Sequence, residues 1–160
     1  MCLMTLCGTA VAQKNVKLGH INYAELVQIM PGIDTVQSVL ERETTELEAQ
    51  YKSMMGEYEK KVNDYTEKQA EMVKIVREAK EKEIMQLRAR IEEFQQSAQT
   101  QLQTRQSELM QPVIDRAKKA VEEVAKENSY TYILDASALV YYQDSDDIMA
   151  LVKKRLGISK

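Results

Sequence analysis

Tryptophan is absent, phenylalanine occurs once, and only two prolines and five glycines interrupt the 160 residues. So few bulky aromatics argue against a thick globular core, and so few breakers argue for long uninterrupted helices that pack through a seam. No apolar run reaches the ~18 residues of a membrane-spanning helix. A net charge of -3 lacks the basic surplus that phosphate binding needs, which excludes nucleic acid as the main partner. His20 is the only histidine and has no cysteine or second histidine beside it, so it reads as a structural strand residue and no metal is expected. There is no Ser/His/Asp set, no glycine-rich phosphate loop and no Cys/His spacing, hence no catalytic site and no cofactor. Asp144, Asp146 and Asp147 lack the glycine and distal glutamate of a calcium loop and read as helix caps.

Both cysteines, Cys2 and Cys7, fall in an apolar opening stretch that ends Ala10-Val11-Ala12, the A-x-A form a signal peptidase reads. This segment is expected to be an export signal over residues 1–12, cleaved after Ala12, although its basic start is missing. A processed chain would then carry no cysteine, which suits an oxidising compartment without a disulfide framework. Competing readings are an amphipathic core segment, or a lipid anchor on Cys7, against which Leu6 stands where a small residue is expected.

What the chain does have is a tract from about Asp34 to Asn128 rich in Glu, Gln, Lys, Met and Ala, broken only by Gly56 and Pro112. As one straight helix it would span about 140 Å at about 1.5 Å per residue, too long for a chain of this size, so it is expected to fold back. Leu40, Thr44, Leu47, Tyr51, Met54 and Tyr58 form one stripe with heptad-like spacing, and Ile84, Leu87, Ile91, Phe94, Ala98 and Leu102 form another. Beyond Tyr58 the first stripe thins, with Lys61 and Lys68 on it and Val62 beside it. Stripe phase is lost between Met72 and Ile84, which places the reversal near Met72 to Arg77. That turn sets Leu47 beside about Gln101 and Tyr58 beside about Arg90. Pro112 is expected to bend the second helix at the base of the hairpin. The outer part of this second arm is basic, which gives either a solvated helix face or a weak attraction for acidic partners.

At the two ends the pattern changes. Residues 16–23 alternate apolar and polar side chains as a strand does, and a short helix from Ala24 should stop at Pro31-Gly32. Asp34 is the expected cap of the first long helix, and Asn128 the left-handed stop of the second. Residues 130–134 and 139–142 are β-branched and aromatic, and read as a β-hairpin turning at Asp135-Ala136-Ser137. A last helix is expected from Asp147 to Leu156.

The order of these elements resembles the Skp/OmpH family of periplasmic chaperones. The residues that carry the likeness are Lys17-Leu18-Gly19-His20-Ile21-Asn22-Tyr23 before Met30-Pro31-Gly32, Arg90-Ile91-Glu92-Glu93-Phe94-Gln95-Gln96, Glu108-Leu109-Met110-Gln111-Pro112-Val113, Val124-Ala125-Lys126-Glu127-Asn128 before Tyr132-Ile133-Leu134-Asp135, and Asp147-Ile148. Asn22 and Met149 depart from the family pattern. The resemblance implies an α+β, mostly α fold, in which a long antiparallel helical hairpin (34–111) projects from a small β body (13–33 and 112–160) formed by trimerisation. A trimer would also answer a physical problem, since three short strands cannot bury both faces of their sheet. Val16, Leu18, Ile21, Ile133, Leu134, Val140 and Tyr141 would share its core.

The implied activity is ATP-independent holding of unfolded outer-membrane proteins in the periplasm, within a cavity between the arms. Weak contact with membrane surfaces or lipopolysaccharide is also implied, and a mildly acidic chain would make it less strongly. Off-stripe Met55, Val73 and Ile75 are the favoured client contacts, with Met72, Val76 and Met85 beside them and Lys74 and Arg77 supplying charge. Met54, Tyr58 and Tyr65, being on the stripe, are expected mainly to hold the hairpin together. A non-catalytic coiled-coil spacer or scaffold of the cell envelope is the alternative reading.

Overall fold

A computed structural model describes residues 16–158. The export-signal reading, the cleavage after Ala12 and both cysteines lie outside the described residues. In order, the elements are β1 (Leu18–Ile21), α1 (Tyr23–Gln28), α2 (Ile33–Lys68), α3 (Lys74–Glu127), β2 (Tyr132–Asp135) and α4 (Met149–Leu156), with single 3-10 turns at Ala136–Ala138 and Asp144–Asp146. Two long helices forming a hairpin, with a small strand region, make the fold mostly helical. The chain divides into two compact units, one of the described residues up to Met30 together with those from Arg116 onward, the other Pro31–Asp115.

The first unit is built around a parallel pair of strands. Leu18 pairs with Tyr132, Gly19 with Ile133, His20 with Leu134 and Ile21 with Asp135. Parallel strands cannot be joined by a tight turn and need a long crossover, and here α1, α2 and α3 together supply it. Ile21, Leu26, Met30, Ala117, Ala120, Val124, Ile148, Met149 and Val152 are the buried apolar residues of this unit. The His20 carbonyl accepts from the Ile148 N–H at 3.0 Å, which ties the entry to α4 onto β1. His20 itself is buried. A backbone carbonyl can only accept, so its Nε2 donates to the Gln143 oxygen at 2.9 Å, while its Nδ1 is buried without a partner. The ring also packs against Tyr142, with centroids 4.2 Å apart. Arg155 of α4 bonds Glu123 of α3 at 2.8 Å. Lys17 lies over the Tyr130 ring, 4.0 Å from its centroid, with its ammonium also donating to Asn128 O at 2.9 Å.

Several local expectations are corrected. The β-hairpin over 130–142 is not present. Asp135 accepts from the Ser137 N–H at 3.0 Å and starts a 3-10 turn instead of a hairpin turn. Beyond it, Leu139 and Gln143 have extended backbone, but the stretch between them joins no strand. The partner of β2 is the distant β1. The cap of α2 is Gly32, at φ 102°, with Asp34 in the first turn. Ser129, at φ 57°, takes the left-handed stop after α3, while the Asn128 amide donates back to Val124 O. Regular helix in α4 begins at Met149, whose N–H the Asp147 carboxylate caps at 2.8 Å.

In the second unit α2 and α3 run antiparallel. Helix α2 ends at Lys68 and α3 begins at Lys74, so the reversal occupies residues 69–73, earlier than the expected Met72 to Arg77. Gln69, Ala70, Glu71 and Met72 are all acceptable in helices, so no residue type marks the turn. Pro112 does not interrupt α3, and the division between the units falls between Asp115 and Arg116.

Candidate functional site

Heptad spacing brings the two stripes together along the hairpin. Leu47, Tyr51, Phe94, Ala98 and Leu102 border one shallow apolar groove, and Met55, Tyr58, Arg88 and Ile91 another. Val36, Leu87, Ile91 and Val113 are the buried apolar residues of this unit. The seam therefore does not simply loosen away from its base. It is dry again at Leu87 and Ile91, well out along the arm, and half-buried on either side.

Polar bonds span the hairpin on both sides of that dry point. On the inner side Arg105 donates to Glu43 at 3.0 Å, a bond that raises the guanidinium pKa. On the outer side Lys61 donates to Glu83 at 2.5 Å, and the Tyr65 hydroxyl donates to Glu81. The Lys61 bond holds the Glu83 carboxyl below its ordinary range, while Glu83 raises Lys61. Accepting from Tyr65, Glu81 favours the neutral phenol and raises its pKa. The sequence put Lys61 on the stripe but gave it no partner. Followed outward, the expected hairpin register sets Lys61 beside about Leu87, and Glu83 lies about one helical turn farther toward the tip.

The expected client contacts divide by place. Met72 is half-buried in the turn, and with Lys61, Tyr65, Lys80, Glu83 and Ile84 it lines one recess. Val73, Ile75 and Val76 stand exposed at the start of α3, Ile75 most of all at 76%. Lys74 pairs loosely with Glu78 at 3.7 Å, and the Arg77 charge reaches Tyr65. These six neighbours in sequence form one apolar and cationic tip. Met85 is also exposed, but at about 1.5 Å per residue it lies about 15 Å along α3 from Ile75. Met55 is half-buried beside Tyr58 and Ile91 rather than open at the tip.

The residues expected at a subunit interface also divide. Ile21 is buried within its own chain and Ile133 half-buried, whereas Val16, Leu18, Leu134, Val140 and Tyr141 are exposed, Val140 completely. Tyr132, Tyr142 and Leu151 add exposed apolar surface that sequence reasoning did not single out. Alternation along β2 could have found Tyr132, since Leu134 shares its face. Among the described residues no group of His, Cys, Asp and Glu is arranged to hold a metal ion, and no helix is long and apolar enough to cross a membrane.

A family model described as outer membrane protein (OmpH-like) matches residues 17–156. The Chaperone protein Skp of Pectobacterium atrosepticum is 26% identical over 153 residues, covering 96% of this chain and 93% of its own length. That of Photorhabdus luminescens is 28% identical over 156 residues, with the same two coverages. Among solved structures, one described as an OmpH-like outer membrane chaperone from Caulobacter crescentus CB15 aligns with a TM-score of 0.77 at 12% identity, covering 98% of this chain and 90% of that one, a likeness of fold. The chain belongs to the OmpH-like outer membrane protein family, and the relatives it resembles there are Skp chaperones.

Proposed function

We propose that this chain is an ATP-independent holdase of the periplasm that keeps unfolded outer-membrane proteins from aggregating, and that it acts as a homotrimer. The observation that carries this reading is the tip, where Val73, Ile75 and Val76 stand open to solvent between Lys74 and Arg77. Exposed apolar side chains interleaved with cations suit an unfolded client, because many weak contacts shield apolar segments without fixing one pose. Met55, Met72 and Met85 would extend this surface along the arm, methionine being flexible and polarizable. The relatives' name, chaperone, supports the same reading. Trimerisation is supported by the exposed Val16, Leu18, Leu134, Val140 and Tyr141, a set of apolar side chains unusual on the surface of a free monomer.

The decisive measurement is light scattering of a urea-diluted β-barrel protein with and without this chain, in the absence of nucleotide. Suppression at a ratio of one trimer per client supports the holdase. No suppression, together with a stably folded partner in pull-downs, would establish the envelope-scaffold alternative. Mass by multi-angle light scattering tests the trimer, and a monomer at micromolar concentration would count against it.

A further inference from the structure

Along the hairpin, the chemistry that joins the two helices changes at Leu87. There and at Ile91 the seam is apolar, with side chains 1% and 6% exposed. Outward of Leu87 the side-chain hydrogen bonds between the helices are Lys61 to Glu83 and Tyr65 to Glu81. Further charges surround these two bonds. Glu57 lies 3.7 Å from Lys61 on its own helix, Lys80 lies 3.5 Å from Glu83, and Arg77 acts on Tyr65. Lys60, Asp64 and Lys68 border the same recess, Lys68 pairing with Asp64 at 3.7 Å. Met72 and Ile84, half-buried, line that recess with them.

We propose that the outer end of the hairpin, residues 61–84, is a salt-sensitive latch, closed by the Lys61–Glu83 and Tyr65–Glu81 bonds and opening as a unit up to the apolar stop at Leu87 and Ile91. The physical basis is that part-exposed ion pairs weaken with electrolyte while apolar burial does not. At 1 M salt the screening length falls to about 3 Å, comparable with the Lys61–Glu83 separation and shorter than the 3.7 and 3.5 Å contacts of Glu57 with Lys61 and of Lys80 with Glu83. Opening separates Lys61 from Glu83 and uncovers Met72 and Ile84, enlarging the apolar surface next to Val73 and Ile75. The latch does not depend on the chaperone reading, because both of its bonds lie within the hairpin itself.

The test is amide hydrogen exchange, read by mass spectrometry on the full chain at about 0.1 M and about 1 M sodium chloride, where the screening length falls from about 10 to about 3 Å. Exchange across 61–84 is expected to rise severalfold at high salt while peptides covering 87–102 stay unchanged. Glu83→Gln should raise exchange in 61–84 already at low salt and abolish the salt response. Lys61→Met, which puts an apolar side chain on the stripe, should close the segment at both salt concentrations. A salt response that is absent, or that is equal along the whole arm, overturns the latch. Should Glu83→Gln unfold the arm as a whole, Lys61→Met decides alone: a salt response retained in that variant would overturn the proposal.

Discussion

The backbone of Gly19 lies so close to Tyr130 that a β-carbon at Gly19 would sit 2.9 Å from the ring, with Ile148 at 3.0 Å and Ile133 at 3.1 Å. Strand β1 meets β2 and the entry to α4 at this point, and hydrogen suits it for lack of space rather than for backbone freedom. Gly19→Ala is expected to lower stability by about 1–3 kcal/mol through overpacking. Urea unfolding at fixed protein concentration checks this, and an unchanged midpoint would show that the neighbours can yield.

Leu87 and Ile75 distinguish holding the arm together from the proposed contact with a client. Leu87 is buried and Ile75 open, so Leu87→Ala should cost about 2–5 kcal/mol as a cavity forms, while Ile75→Ala should stay within about 0.5 kcal/mol. Aggregation suppression should fall in Ile75→Ala despite its normal unfolding curve. If the Ile75 variant protects clients as well as the parent chain, the tip is not the contact surface.

Gly56 lies inside α2, and a β-carbon there meets nothing within 4 Å. No close approach requires glycine at this position, and alanine should stabilise the helix by about 1 kcal/mol. Circular dichroism melting of Gly56→Ala is expected to show a higher midpoint. A lower one would mean that Gly56 is covered by something in the assembled protein.

The outer rung should also follow pH. Glu83 is held below its ordinary range by the bond from Lys61, so the stabilisation it brings is present above the usual glutamate value and is lost as pH falls through the lowered one. Lys61, raised by Glu83, and Tyr65, raised by Glu81, contribute below their usual values and lose their contribution as pH climbs through the raised ones. Protection of 61–84 from exchange, taken relative to the intrinsic rate at each pH, is therefore greatest across the wide neutral window. The acid limb of that profile should flatten in Glu83→Gln, and an unchanged limb would assign it to other carboxylates.

Much of the hairpin could be read from apolar spacing because heptads report a partner helix wherever it comes from. Setting Tyr58 beside about Arg90 agrees with Tyr58 lying near Arg88 and Ile91. The tip was misplaced because residues 69–73 contain neither glycine nor proline, and the chain reverses where packing ends rather than where a breaker stands. The strand at 139–142 failed for a different reason. Its β-branched and aromatic residues describe a pleated, half-buried surface, and the single chain supplies no ladder there, while β2 finds its partner at the opposite end of the sequence. Cross-arm polar bonds such as Arg105 to Glu43 escape any stripe analysis that scores only apolar positions.

The contact between Lys17 and the Asn128 carbonyl joins residues 111 positions apart, and the β1–β2 ladder bridges a similar interval. Closing a loop of that length before any local structure exists carries a large entropic barrier, and such distant pairings form slowly. The helices of the hairpin make contacts of shorter sequence range and can form earlier, bringing the two ends within reach. During synthesis β1 emerges first but finds β2 only after nearly the whole chain has been made. Until then its apolar edge stays unpaired, so this chain passes through a stage at which it has the same need for protection as an unfolded strand of any other protein.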